Sequence, residues 1–330
     1  MNNNDQSASL VFSVAFPTYN RADLLSDILD DLSKQTFPTE NYEVLIIDNN
    51  SSDNTAEITQ KYCAEHANFH YIFEEKQGIG YGRSRAYQEA QGKYLAYTDD
   101  DCRIPADWLA TAQSIIEQYN PVIFGGPYQA YYIDRPKWAK DDYWSSLDAI
   151  GHRACWLPDR QYLSAGNMFV KKSILVELQG FNPAFGSHGK KKYYGEETEF
   201  QIRVCQTYPD LKFYYDPALC VSHLVNPQKL NFRTTLHYVF RLGRAGTHIN
   251  KVSGDRENLT TLRKFKRFLR ISSYATYIII IPWMMSFGTL LRNRSRFPYW
   301  QNYWYEAIKP KVQALGGLYE RLSVFLRFTG

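Results

Sequence analysis

An α/β fold on a Rossmann-like, mostly parallel central sheet flanked by helices is predicted for residues 10–225, followed by a helical, basic C-terminal region over 226–330. Three observations predict it. Apolar runs that end on polar residues alternate with helical patterns three times in the first hundred residues, which is the signature of βαβ units. Those polar ends would then share one rim of the sheet, where parallel sheets bind ligands. The charge is also divided: residues from Pro227 onward hold 18 Lys+Arg and 4 Asp+Glu, whereas 1–226 hold 20 basic and 30 acidic residues.

The elements follow in order. MNNNDQSAS at the N-terminus is polar and lacks the apolar core of a signal peptide, so residues 1–9 are read as disordered. LVFSVAF reads as a buried strand and ends on Pro17, Thr18, Tyr19, Asn20 and Arg21. ADLLSDILDDLSKQ sets Leu24, Leu25, Ile28, Leu29 and Leu32 at helical spacing. YEVLIIDNN is a second strand, NTAEITQKYCAEH a helix and FHYIFEE a short strand. A glycine-rich loop and helix are read in GIGYGRSRAYQEAQG, and KYLAYTDDD is the next strand. From about residue 120 the elements shorten. PVIFGGPYQAYYI reads as a strand with a glycine break, SAGNMFVKKSILVEL as a strand entering a helix, EETEFQIRVCQ as a helix and KFYYDPALCVSH as a strand pair.

The acidic front half suits a cation, and the basic tail suits an anionic surface, lipid or nucleic acid. Residues 271–291 carry no charge and lie between basic flanks, with Pro282 inside. That length reaches the roughly 20 residues of a bilayer span, and it leaves a span, an interfacial segment and a buried helix pair open. Five scattered cysteines without CxxC spacing argue against a disulfide framework or zinc site and point to a reducing compartment. The 26 Tyr and 7 Trp suit a cleft for sugars or bases, although tyrosines also fill sheets.

Several side chains at the predicted strand ends carry chemistry. Asp99, Asp100 and Asp101 repel one another unless a cation offsets them. Mg2+ or Mn2+ with one or two carboxylates and phosphate oxygens would do so, and Asp99 and Asp101, two apart, can point to one side. Asp48 ends an apolar strand and can accept a hydrogen bond from a base N–H, or cap a turn together with Asn50; Asp53 is read as a cap. Gly78, Gly80 and Gly82 have GxGxG spacing, a poor dinucleotide motif, but flexible backbone here would bring Arg83 to a diphosphate. Glu196 and Glu197 open a predicted helix, where a carboxylate either serves as a general base or simply favours the helix dipole. His223 is structural unless the fold carries it to Asp101.

Taken in order, PTYNR (17–21), IIDNNSSDNT (46–55), GIGYGRSR (78–85), YTDDD (97–101), SAGNMFV (164–170), GEETEFQIR (195–203) and VSH (221–223) resemble the motif set of family 2 glycosyltransferases, inverting enzymes of the GT-A fold. The resemblance implies a nucleoside pocket lined by Pro17, Thr18, Tyr19 and Arg21, with Asp48 reading the base and Asn50 beside it. It implies Arg83 near the diphosphate and Asp99 and Asp101 as the DxD pair, with Asp101 nearest the metal and His223 on the metal side; Asp100 is then read as supporting that pair or touching the donor sugar. Gly166 and Asn167 would shape the donor and acceptor cleft. The family base is usually the Asp of a Glu-Asp pair; here Glu197 takes that position, longer by one methylene, with Glu196 as rival. A UDP-sugar donor, a saccharide or lipid-linked saccharide acceptor and Mn2+ or Mg2+ follow. So does a cytoplasmic enzyme in peripheral contact with an anionic inner membrane face and without a nucleic-acid partner. A nucleotidyltransferase that makes nucleotide-sugars and a non-catalytic sugar-binding protein are the alternatives.

Overall fold

The computed structural model describes residues 10–146, 150–183, 185–188, 191–192, 195–252 and 295–327. The expectations for residues 1–9 and 271–291 lie outside the described residues. The described chain forms two compact units, residues 1–133 with 144–225, and residues 134–143 with 226–330.

The first unit opens with β1 (Phe12–Thr18), α1 (Ala22–Ser33), β2 (Tyr42–Asp48), α2 (Thr55–Glu65), β3 (Phe69–Phe73), α3 (Ile79–Glu89) and β4 (Tyr94–Thr98). It continues through β5 (Cys102–Arg103), α4 (Trp108–Tyr119), β6 (Ile123–Gly125), β7 (Tyr128–Tyr131), β8 (Cys155–Trp156), β9 (Asn167–Lys171), α5 (Lys172–Glu177), β10 (Ser187–His188) and β11 (Lys191–Lys192). It closes with α6 (Glu196–Thr207), β12 (Tyr214–Tyr215) and β13 (Val221–Leu224).

The main sheet has eight strands in the order β3-β2-β1-β4-β9-β6-β12-β8. Strands β3, β2, β1 and β4 are mutually parallel, whereas β9 runs antiparallel to both β4 and β6. The chain leaves β1 toward β2 and β3, then returns to place β4 on the other side of β1. That reversal makes the carboxyl ends of β1 and β4 a topological switch point, where open α/β sheets bind ligands.

Both faces of the sheet are covered, which is why its strands are apolar at successive positions rather than alternating. Leu25, Ile28 and Leu29 of α1 and Trp108, Leu109 and Ala112 of α4 pack with Val14, Phe16, Val44 and Ile46. On the opposite face, Ala86 of α3, Leu175 of α5, and Phe200 and Val204 of α6 pack with Ala15, Leu45, Ile47 and Tyr97.

Two local readings change. The residues Gly80, Gly82 and Arg83 belong to helix α3, not to a flexible loop. A Cβ on Gly82 would lie 2.7 Å from Pro17 Cβ, so this glycine lets the helix approach β1 closely. The strands β12 and β13 are not a pair. β12 joins the main sheet between β6 and β8, while β13 lies between β5 and β7 in a three-stranded sheet. The turn at Asp216–Leu219, where Asp216 accepts the Ala218 N–H at 2.9 Å, sends the chain from one sheet to the other.

In the second unit, α7 (Phe232–Val252) packs along α9 (Lys309–Arg327), which follows α8 (Trp300–Tyr303) and a π-helical turn (Trp304–Ile308). The Tyr305 ring stacks on Tyr143 at 4.6 Å, and Glu306 accepts from Lys140 at 2.6 Å, which fastens 134–143 to this unit. Among the described residues no helix is long and apolar enough to cross a membrane.

Candidate active site

The rim at the switch point collects residues from distant parts of the chain. Thr18 ends β1 at 2% exposure, Tyr19 beyond it is 47% exposed, and Arg21 Nη1 lies 3.5 Å from Asp101 Oδ2. Asp48 ends β2 and is buried; its Oδ1 accepts the Ser51 N–H at 2.9 Å and its Oδ2 accepts the Tyr71 hydroxyl at 2.8 Å. Asn50 adopts a left-handed conformation (φ 66°), and its amide donates to the Glu75 carbonyl at 3.2 Å. Asp53 accepts from the backbone N–H groups of Ala22 and Thr55, each at 3.1 Å, and so ties together the starts of α1 and α2.

The acidic triplet turns the chain from β4 into β5. The small sheet explains how His223 reaches it: β13 pairs with β5 in a register that sets His223 opposite Cys102, and the Leu224 N–H donates to the Asp101 carbonyl at 2.9 Å. His223 Nε2 then lies 3.4 Å from Asp101 Oδ1 and 3.9 Å from Asp99 Oδ2. Burial, followed by the negative charge of Asp101, pushes the Asp100 carboxyl up to about 7.

One ligand atom each from Asp101, Cys102 and His223 lie within 4.8 Å of one another. Carboxylate oxygen and imidazole nitrogen suit Mn2+ or Mg2+ with phosphate oxygens. The Cys102 thiol fits that assignment less well. Burial, with the charges of Asp99 and Asp101, raises its pKa well above the ordinary value and keeps it protonated. Asp101 and His223 are therefore the members of that group that fit a divalent cation, and Asp99, whose Oδ2 lies 3.9 Å from His223 Nε2, stands beside them.

Gly166 and Asn167 play different parts. A Cβ on Gly166 would lie 2.7 Å from Asp99 Oδ2, so the glycine leaves room for that carboxylate. Asn167 is fully buried and lines no cleft. Its amide nitrogen donates to the carbonyls of Pro127 at 2.9 Å and Leu219 at 2.6 Å, and its oxygen accepts from the Trp108 indole at 3.1 Å. Its polar atoms are spent on joining three segments. Gly166→Ala should leave the melting temperature nearly unchanged, because only the end of a side chain has to move. On the expectation that Asp99 holds a cation with a nucleotide diphosphate, Mn2+-dependent nucleotide binding should weaken about 10-fold or more, as for lost support of a metal ligand; calorimetric titration checks this.

Across the site, Glu196 is 4% exposed and pairs with Arg83, which is itself buried and reaches Asp99 Oδ1 at 3.0 Å. Burial opposes the Arg83 charge, but Glu196 and then Asp99 more than restore it, so its pKa lies above the ordinary arginine value. Glu197 differs from its neighbour. Burial, then the charge of Glu196, pushes its carboxyl up to about 7 against the opposing pull of Arg83. Two members of the site carry no signal in the sequence: Tyr71, which holds Asp48, and Tyr128, whose ring lies 5.5 Å from that of His223 and which feels the charges of Asp99 and Glu197.

A doubly covered sheet with acidic groups at its switch point is what the motif order predicts, and the comparisons identify the family. Residues 13–179, just over half of the chain, match the Glycosyl transferase family 2 model, and the chain belongs to that family. It is 33% identical to glycosyltransferase AglE of Haloferax volcanii over 170 residues, 51% of this chain and 55% of that protein. It is 31% identical to the poly(ribitol-phosphate) beta-N-acetylglucosaminyltransferase TarS of Staphylococcus aureus over 110 residues, 33% of this chain and 19% of that one. The matched region thus spans about half the length of the first and a fifth of the second. Among solved structures, mannosyltransferase PcManGT from Pyrobaculum calidifontis, in complex with GDP-Man and Mn2+, superposes with a TM-score of 0.61 at 16% identity, over 94% of this chain and 87% of that one. Residues 1–349 of S. aureus TarS, in complex with UDP, superpose with a TM-score of 0.53 at 17% identity, over 95% and 92%. These likenesses show the fold, that of the GT-A glycosyltransferases. Glu196, Glu197 and His223 lie beyond the residues that the family model matches.

Proposed function

We propose that the chain is a metal-dependent inverting glycosyltransferase. It would move a sugar from a nucleotide-diphosphate donor, a UDP-sugar, to a hydroxyl of a polysaccharide or lipid-linked saccharide. One observation carries the reading: the switch-point rim holds a cation-fitting set, Asp99, Asp101 and His223, and buried Arg83 links it to the start of the helix bearing Glu197. The solved neighbours support the donor class, since PcManGT was captured with GDP-Man and Mn2+ and TarS with UDP.

A divalent cation, when bound, offsets the charge that develops on the leaving diphosphate. Glu197 removes the proton from the acceptor hydroxyl, whose oxygen attacks the anomeric carbon on the face opposite the diphosphate. One displacement inverts the centre, with no covalent enzyme intermediate. Glu196 is a poor rival as base because its charge is committed to Arg83. Asp48 would receive the N–H of a uracil ring, with Thr18, Tyr19 and Arg21 around the nucleoside. The basic excess after Pro227 supports peripheral contact with an anionic membrane surface on the cytoplasmic side.

A nucleotide-release screen across UDP-, GDP- and dTDP-sugars, with and without Mn2+, tests the reading. UDP should appear from a UDP-sugar in the presence of Mn2+ and vanish with chelator. No release from any donor, with metal and a range of saccharide acceptors present, sinks it.

A further inference from the structure

Arg83 occupies an unusual position for a group that would simply receive a diphosphate. Its side chain is 4% exposed and is shared between two carboxylates from distant segments, Asp99 after β4 and Glu196 at the start of α6. Its backbone is fixed as well, because its carbonyl accepts the hydroxyl of Tyr97 on β4 at 3.1 Å. Turning the guanidinium toward phosphate would leave the part-buried Asp99 or the buried Glu196 without its counter-charge, and for Glu196 that is strongly unfavourable. The planar guanidinium has donors on separate nitrogens and can serve both carboxylates at once, which a single ammonium does poorly.

Asp99 belongs to the donor side of the site, and Glu196 immediately precedes the proposed base. From this placement we infer that Arg83 is a positioning residue. It sets the distance and orientation between the cation-binding end of β4 and Glu197, with Glu196 as its anchor. The inference rests on the transferase reading above. It separates two jobs that one arginine could do: gripping the donor would show in binding, whereas spacing the two halves shows in turnover. Misplacement of reacting groups by about 1 Å costs on the order of 100-fold in rate.

Steady-state kinetics of Arg83→Lys, Glu196→Gln and the double variant, with calorimetric titration of Mn2+ and the nucleoside diphosphate, test it. Each single variant should lose about 100-fold in kcat, while nucleotide Kd measured in chelator stays within about 3-fold of the wild type; Glu196→Gln, which leaves the Arg83–Asp99 contact in place, should also keep donor KM within that range. The double variant should lose no more than the worse single one, because both act through one link. Three results overturn the inference: Arg83→Lys weakening nucleotide binding about 10-fold or more with kcat retained, kcat unchanged in either single variant, or kcat losses that multiply in the double variant. Should Arg83→Lys fail to fold, Glu196→Gln, which keeps the side chain's shape, carries the same split between kcat and KM. A wild-type chain that turns over no donor removes the transferase reading together with this inference. An active wild type whose variants lose affinity instead of turnover removes this inference alone.

Discussion

Sugar transfer by a Glu197→Gln chain is expected to fall by about 1000-fold or more, toward the upper range of what a positioned general base contributes, while Mn2+-dependent nucleotide binding stays within about 2-fold. The amide keeps the shape of the side chain and removes only its ability to accept a proton. The carboxylate suits the task because burial and the neighbouring charge of Glu196 push its pKa up to about 7. A base of that strength is ionised for much of the time at neutral pH and still holds a proton well. Unchanged turnover in the Gln variant would remove Glu197 from the role and favour a protein that binds sugars without transferring them.

The same carboxylate links activity to stability with opposite signs. In the proposed role as base, loss of its proton creates the active form, so kcat/KM should rise with pH and level off above about 7. Its folded-state pKa lies above the ordinary value of 4.5, so the folded chain holds this proton longer than the unfolded one does. The stability that this contributes is complete below about 4.5 and is lost as pH rises through about 7. The enzyme is then most active where Glu197 no longer stabilises it. Glu197→Gln removes that slope and should melt higher than the wild type at pH 8, which thermal denaturation at matched ionic strength would show. A flat rate profile from pH 5 to 9 would argue that another group accepts the proton.

The first four strands and their helices are legible in the sequence because local pattern decides them. LVFSVAF and VLII are apolar at successive positions, and α1 repeats its leucines at helical spacing. Asp99–Asp101 are legible for the same reason, since three adjacent charges after such a strand need an explanation. Long-range pairings leave no such trace. Strand β5 is two residues long and acquires meaning only when β13, some 120 residues later, lies beside it. Arg83 and Glu196 are 113 positions apart, and neither segment signals the other. Asn167 was legible as a motif member but not as a core residue, because its partners are two carbonyls and an indole that no local pattern marks. The GxGxG run misled in a similar way: glycine usually disfavours helix, but close approach to β1 outweighs that preference here.

Asp101→Ala should abolish metal-dependent nucleotide binding and, with it, detectable transfer, while leaving the fold intact. The stability side follows from what Asp101 touches. Its contact with Arg21 is 3.5 Å long, and the arginine side chain is 33% exposed, so that ion pair contributes little. Its negative charge raises the pKa of Asp100, so removing it relieves repulsion within the triplet. The melting temperature without metal should therefore stay the same or rise slightly. The binding side follows from the cation. With Asp101 gone, Asp99 and His223 face the same space with one negative charge fewer, and the charge of the diphosphate is less well offset. Titration with UDP in Mn2+ should show affinity lowered about 100-fold or more, whereas the weak binding measured in chelator should be equal in the variant and the wild type. That comparison isolates the cation from the rest of the nucleotide site. Equal affinity of the two chains in Mn2+ would place the metal elsewhere, and the three carboxylates would then be no more than an acidic turn in which burial and the charge of Asp101 raise the Asp100 pKa.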